Sequence, residues 1–401
     1  MKVEIEYAPF HELINRAAKA LASRPASPVL AGLSLRAEEG ALHACAFDFE
    51  FAVRASASAT VGEPGSVLVS GRLLADIVRA LPKLPVTLTT DGARMLLVCG
   101  TYSYTLTSMP LKEYPSLPET PGTIGSVHAA ALVSAAGQTA LAADRDETLP
   151  FLTGVRLEFG PESLRLVSTD RYRLAVRDLP WHPSDPQSSD PRISEPQPSE
   201  PPAAGSAEAA ALVPARTLLD AARLFEPDQQ IGLGLGDGLL GLISPGLEVT
   251  LRQLDGSFIR YAQLFPEHPA GRAVVEVAPL LEAIKAVALV AERNTPVRLE
   301  FATGQVAVVA GSGDQALARA TIEAIYDADE PVVIAVNPAY LIDGLGCLGT
   351  PYAQLTYPEK VRPVVLTGVA APDGEAGGEA GGEPDAQFRY LFIPVRASTQ
   401  S

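Results

Sequence analysis

The sequence predicts an α+β fold in which a helix-plus-strands unit recurs six times, two copies to a domain and three domains to the chain. Three observations carry this expectation. A helix–Arg–strand pattern returns at three places, a strand–helix pattern returns at three others, and 401 residues exceed one ordinary domain. Hydrophobic residues make up 47% and aromatics 6%, so Ala, Val and Leu are expected to fill the cores.

The first pattern begins with a helix over Phe10–Ala22, then Arg24 and the apolar run Pro28–Arg36. A turn at Glu39-Gly40 leads to Leu42–Phe47, then Asp48, then Phe51–Arg54. In the middle of the chain the same order is Ala129–Ala143, Arg145, Pro150–Glu158, Leu164–Val167, Asp170 and Leu174–Arg177. Towards the end it is Pro279–Ala291, Arg293, Pro296–Glu300, Val306–Val309, Asp314 and Leu317–Arg319. The strands alternate or run apolar, and their turns carry Gly or Pro as hairpins require.

The second pattern is a short strand feeding an amphipathic helix, with apolar residues at i, i+3, i+4 and i+7. It occurs at Val67–Arg79, Ala211–Arg223 and Val333–Asp343. Strands are expected after each, at Val86–Thr89, Ile231–Leu235 and Gln354–Thr356. The domains are therefore expected at 1–121, 122–257 and 258–401. His182–Ala209, rich in Pro, Ser, Asp and Glu, reads as a disordered insert in the second domain. The Gly- and Glu-rich stretch 371–387 reads as a flexible insert in the third. Three like domains in series with similar rotation between them are expected to form an arc, and head-to-tail contact between two arcs closes a ring where the rotation permits, with helices lining the inside and sheets outside.

A net charge of −16 argues at first against a nucleic-acid partner. The cations, however, concentrate on the helices and just beyond them: Arg16, Lys19, Arg24, Arg72, Arg79, Lys83, Arg145, Arg216, Arg223, Lys285 and Arg293. Acidic residues gather at Glu38-Glu39, at Asp327–Glu330 and in the inserts. Screening confines exposed charge to a range of about 10 Å, so placement outweighs the total. Any one of these cations also reads as an ordinary solvated helix residue. Together on a repeated helix face they make a basic bore that touches double-stranded DNA phosphates without reading sequence, weakly, with retention supplied by topology.

Enzymatic readings find little support. Gly236–Gly241 matches GxGxxG by letter, but Ile243-Ser-Pro-Gly follows where a phosphate-binding helix would begin, so a hairpin turn is expected. Asp144, Asp146 and Glu147 read as a solvated loop at a helix end, and the five histidines show no ligand spacing. No metal, cofactor or catalytic residue is expected, and the chain is read as not an enzyme. Cys45, Cys99 and Cys347 are separated and set in apolar sequence, as thiols of a reducing compartment are. The N-terminus lacks a signal-peptide core and no apolar run reaches membrane-spanning length, so a cytoplasmic location is expected.

Several motifs carry a resemblance. They are Ser23-Arg24-Pro25 with Pro28-Val-Leu, Asp48-Phe-Glu50, Leu152-Thr-Gly154, Ser168-Thr-Asp-Arg-Tyr-Arg-Leu-Ala175 and Tyr390-Leu-Phe-Ile-Pro-Val-Arg396. Across nearly its whole length apart from the inserts, the chain resembles the beta subunit of bacterial DNA polymerase III, the sliding clamps, in an actinobacterial form. The resemblance implies a homodimeric ring around duplex DNA, loaded by a separate ATP-using machine. It also implies a groove that takes short linear motifs of polymerase, clamp loader and repair factors. Carried over by position, the groove is Leu152, Thr169, Arg171, Tyr172, Arg173, Leu174, Ile259, Gln263, Leu264, Asn337, Tyr340, Val361 and Pro363. The terminal stretch Leu391, Phe392, Ile393, Pro394, Val395 and Arg396 completes it. The ring contact implied is Tyr104 and Leu106 of one chain against Leu289 and Val290 of the other.

Two departures stand out. Arg171-Tyr172 replaces the Gly-His common in the family, and Phe258–Gln263 lacks the family's Pro and Arg beside the groove. They leave open a divergent second copy that tolerates a groove-binding inhibitor; the repeat by itself also leaves open a peptide-binding scaffold that never meets DNA.

Overall fold

The computed structural model describes residues 1–22, 24–184, 209–266, 269–291, 295–312, 316–328, 330–358, 363–372, 385 and 387–395. Most of the two expected inserts lies outside the described residues, as do Ser23, Arg293, Asp314, Val361 and Arg396. Six helices are described: α1 (Tyr7–Ala17), α2 (Gly71–Ala80), α3 (Ala129–Ala140), α4 (Ala215–Ala222), α5 (Val277–Val287) and α6 (Pro338–Gly346).

The helices bury the stripe that their periodicity demands. α1 buries Phe10, Leu13, Ile14 and Ala17, and α5 buries Leu280, Ala283, Ile284 and Val287 at the same spacing. Each large apolar side chain so buried contributes about 1.5–3 kcal/mol. Both helices start earlier than expected, at Tyr7 and Val277. Pro9 and Pro279 occupy their third positions, where a backbone N–H has no intrahelical partner to lose. Both also end earlier, passing into 3-10 turns at Ala18–Ala20 and Ala288–Val290. α3 stops at Ala140 where Ala143 was expected.

The chain divides into two compact units. The first comprises Met1–Val133, Gly160–Glu162 and Pro180–Leu254. It is built on a 14-stranded sheet running from His182–Pro183 at one end to Thr60–Glu63 at the other. Leu247–Leu251 pair antiparallel with Phe51–Ala55, so main-chain hydrogen bonds join strands from the first and second sequence repeats. Strand Gly32–Glu38 turns Leu33, Leu35 and Ala37 into the core, with Ser34 and Arg36 on its other face. α1 packs on Ala41–Phe47 and Phe51–Ser58, the strands next in order. At Gly236–Gly241, Asp237 (φ 50°) and Gly238 (φ 70°) form the two-residue turn between strands Gln230–Gly236 and Leu239–Ser244. Two left-handed residues are what such a tight hairpin requires, so the glycines serve the turn.

The second unit comprises Ser134–Phe159, Ser163–Leu179 and Asp255–Ser401. Its strands begin with Gly154–Phe159, Ser163–Thr169, Arg173–Pro180, Phe388–Phe392, Val364–Val369 and Tyr352–Tyr357. They continue with Gly271–Glu276, Ala316–Asp327, Gln305–Ser312, Val297–Ala302 and Val332–Val336. α5 and α6 cover a core that includes Ile284, Leu341, Leu345, Phe301 and Tyr390. Gly344 of α6 lies so close to Tyr390 that a Cβ there would fall 2.7 Å from its ring, so α6 packs tightly on the last strand.

Candidate functional site

The segment Thr169–Arg173 is a turn held almost wholly by its own side chains. Asp170 Oδ1 accepts the N–H groups of Tyr172 and Arg173, both at 2.9 Å. Thr169 Oγ1 accepts from the Arg171 N–H at 3.0 Å and donates to the Arg173 carbonyl at 2.7 Å. These bonds hold Arg171 at φ 78°, a conformation that side-chain-bearing residues rarely adopt. Tyr172 is thereby lifted into solvent, 59% exposed. The other unit repeats the device: Asp48 Oδ1 accepts from Glu50 and Phe51 at 3.1 and 2.8 Å, and Phe49 sits at φ 77°.

Arg173 is the hub of the site. Its Nε donates to Asp170 Oδ2 at 2.9 Å and its terminal nitrogen to Asp343 Oδ2 at 2.7 Å, with the Tyr390 hydroxyl at 3.5 Å. The guanidinium lies over the Tyr340 ring, 4.7 Å from its centroid. Burial works against the charge, but Tyr390, Asp343 and Asp170 outweigh it and raise the Arg173 pKa. Burial likewise raises Tyr390, which stays protonated. Tyr340 stands in the first turn of α6, whose start is capped by Asn337 Oδ1 accepting from the Ala339 N–H at 3.0 Å.

An apolar wall adjoins this hub. Leu174 and Leu391 are buried in a cluster with Val167, Val176, Tyr261 and Val365, and Phe258, Ile259, Leu264 and Phe265 pack against it. The Tyr261 hydroxyl donates to Glu158 Oε2 at 2.6 Å, and burial together with that carboxylate raises its pKa to about 12. Arg389 stacks over Phe265 at 4.7 Å. The terminal segment is tied in by Ile393 N–H to the Tyr172 carbonyl and Val395 N–H to the Ala335 carbonyl, both 2.8 Å, leaving the Ile393 and Val395 side chains exposed.

The expected groove residues therefore separate into layers. Arg171, Tyr172, Gln263, Ile393 and Val395 are exposed, and Arg173, Ile259, Leu264, Asn337, Tyr340 and Pro363 are partly buried. Leu152, Thr169, Leu174, Leu391, Phe392 and Pro394 are buried. Thr169, Leu174, Leu391 and Phe392 lie on strands, Leu152 ends a 3-10 turn and Pro394 follows the last strand, so these six underlie the exposed layer. Asp170, Asp343 and Tyr390, which orient Arg173, were not singled out as site residues. The signal available was Asp170 inside the Ser168–Ala175 motif; nothing in sequence spacing brings Asp343 to Arg173.

The expected DNA-contacting cations also differ in availability. Lys19, Arg24, Lys83, Arg145, Arg223 and Lys285 are exposed, with no ion pair to a carboxylate among the described residues. Arg216 is almost wholly exposed and lies 4.0 Å from Asp220. Arg16 is ion-paired: its guanidinium is held by Glu12 at 2.5 Å and by Glu226 at 2.9 Å, the latter across sequence-distant segments that spacing did not disclose. Arg79 pairs with Asp76 at 3.0 Å, and Arg72 donates to the Ala22 carbonyl at 3.0 Å.

Asp144 and Asp146 cap backbone N–H groups of their own loop, accepting from Asp146 at 3.1 Å and from Thr148 at 2.9 Å. Among the described residues no group of His, Cys, Asp or Glu is placed to hold a metal, and no helix is long and apolar enough to cross a membrane.

The chain matches models of the N-terminal, central and C-terminal domains of the DNA polymerase III beta subunit at residues 1–118, 126–195 and 262–376. It belongs to that family. A beta sliding clamp of Streptomyces coelicolor is 44% identical over 99% of this chain and 100% of its own length. A beta sliding clamp homolog, GriR, of Streptomyces muensis is 36% identical over 99% of each chain. A sliding clamp of Pseudomonas aeruginosa, crystallised with griselimycin, superposes with a TM-score of 0.84 at 23% identity, covering 99% of this chain and 100% of that one. This last likeness carries the α+β clamp fold.

The residues expected at the ring contact differ in exposure. Leu106 is 3% exposed and belongs to the core, because it alternates inward on strand Tyr102–Met109. Tyr104 is partly buried, and Tyr102 on the same strand is 51% exposed. Leu289 is 85% exposed on its 3-10 turn, with Val290 partly buried beside it.

Proposed function

We propose that this chain is a DNA sliding clamp, a ring that encircles duplex DNA and tethers the replicative polymerase through a peptide-binding groove. It acts as a non-catalytic processivity factor. The observation that carries this reading is the recurrence of a helix-plus-strands unit whose exposed cations (Lys19, Arg24, Lys83, Arg145, Arg216, Arg223, Lys285) stand on or beside the helices. Three domains at 1–121, 122–257 and 258–401, with helices facing a bore, put those charges where phosphates pass. Contact of this kind is weak and salt-sensitive, and closure of the ring retains the DNA.

Closure is proposed through a head-to-tail homodimer. Strand Tyr102–Met109 is paired along Arg94–Cys99, but on its other side, among the described residues, only Ser108 and Met109 are paired. The Ala316–Glu323 part of Ala316–Asp327 pairs with Gln305–Ser312 and, among the described residues, has no partner on its other side. Two open strand edges on opposite units suit edge-to-edge addition between copies, with Tyr104 and Leu289 beside the seam. The groove for polymerase, clamp loader and repair factors is the Arg173–Tyr340 hub with the wall of Ile259, Leu264, Ile393 and Val395. The apolar surface anchors a peptide's hydrophobic residues, and the few polar groups orient it.

The test is retention of the loaded protein on circular duplex DNA before and after linearisation. Retention on the circle and loss on the linear form is expected; equal loss from both removes the encircling ring and leaves a peptide-binding scaffold.

A second reading rests on the Phe258–Gln263 wall, where Ile259 and Ala262 stand without the family's Pro and Arg. A groove so altered suits a divergent copy that tolerates a groove-binding inhibitor. Displacement of a bound peptide by such an inhibitor at ordinary clamp affinity removes that reading.

A further inference from the structure

A cleft of about 700 Å³ opens in the first unit between α1 and the end of α4. Its wall on α1 carries two rings, Tyr7 and His11, with centroids 5.4 Å apart and planes 32° apart. The Asn15 side-chain nitrogen lies 3.0 Å from His11 Nε2 and 3.1 Å from Nδ1, which fixes the imidazole against α1. Three cations, Lys19, Lys83 and Arg223, reach the cleft from three different segments, and none has a carboxylate partner among the described residues. Arg16 and Glu226 also line it, ion-paired at 2.9 Å.

This combination is not what duplex contact needs. A duplex presents phosphates on a convex surface and keeps its base faces stacked, so helix crests bearing cations suffice. A concave cleft that sets aromatic rings beside free cations matches an unpaired nucleotide, whose phosphate and exposed base face are both available. We propose that this cleft binds single-stranded DNA, the base stacking on the Tyr7–His11 wall and flanking phosphates meeting Lys19, Lys83 and Arg223. The site rests on the DNA-encircling reading and extends it: the ring holds the duplex, while the cleft engages an unpaired stretch emerging from it. The preference is for unpaired structure and is independent of sequence, because every base has a stacking face.

Fluorescence anisotropy of labelled oligo-dT and of a hairpin duplex of equal charge, at low salt, tests the proposal on the full-length protein. Tyr7→Leu and His11→Gln keep bulk or polarity while removing the rings, and their thermal melting is recorded alongside. The expected result is tighter binding of oligo-dT than of the duplex, and a loss of about tenfold for oligo-dT alone in each variant, the effect of one base–aromatic stack. Oligo-dT binding unchanged in both folded variants, or no preference over the duplex in the parent, overturns it. Should the parent fail to stay on circular duplex, the ring reading falls, and the oligonucleotide measurement still decides the cleft.

Discussion

The guanidinium of Arg173 lies 4.7 Å from the centroid of the Tyr340 ring, so the turn after strand Ser163–Thr169 is clamped to the first turn of α6. The contact sets a partly buried cation of the proposed groove against a partly buried ring. Tyr340→Leu removes the cation–π attraction while keeping apolar bulk, and costs about 1 kcal/mol of stability. Affinity for a clamp-binding peptide, followed by calorimetry, is expected to fall about tenfold, a larger loss than the stability change if the ring lines the proposed groove.

Asp170 supports the same turn from beneath, accepting from two backbone N–H groups and from Arg173 Nε. Asp170→Ala removes the acceptor of the Tyr172 and Arg173 N–H groups and of Arg173 Nε, leaving Asp343 as the carboxylate on Arg173 and Thr169 alone holding the Arg171 N–H. Chemical denaturation is expected to show a loss of about 2–3 kcal/mol. Arg171→Gly should act in the opposite direction, gaining up to about 1 kcal/mol because glycine adopts φ 78° freely.

Tyr261 makes stability depend on pH at the alkaline end. Its pKa is raised in the folded chain to about 12 from an ordinary 10, by burial first and then by Glu158. The folded state therefore holds the phenolic proton more tightly than the unfolded state. That contribution is fully present below pH 10 and is lost as pH rises towards 12. Melting temperature measured across that window should fall less steeply in Tyr261→Phe than in the parent, and parallel curves would exclude Tyr261 as the cause.

Leu289, 85% exposed, is the apolar residue on which proposed ring closure most depends. Leu289→Asp places a charge where a buried Leu would contribute about 1.5–3 kcal/mol at each of two contacts. Sedimentation over a dilution series is expected to show the dimer dissociating at concentrations about a hundredfold higher or more. An unchanged dimer would move the contact to other residues, with Tyr102 the next to replace.

Some of this protein could be read from its sequence alone, and some only tertiary structure decided. Apolar periodicity determined the helices and most strands, because a repeating unit must bury the same stripe each time: Phe10, Leu13, Ile14 and Ala17 recur as Leu280, Ala283, Ile284 and Val287. The Gly236–Gly241 hairpin was equally legible, since its turn demands residues that tolerate positive φ. What spacing does not encode is which face of a strand is covered and which charges meet. Leu106 and Phe392 proved to be core, as burial on a sheet depends on what packs over it. Arg16 proved to be bound by Glu226, and Arg173 by Asp343, residues 210 and 170 positions away. Those pairings exist only once the chain has folded, and they decide which cations remain free to meet a phosphate or a peptide.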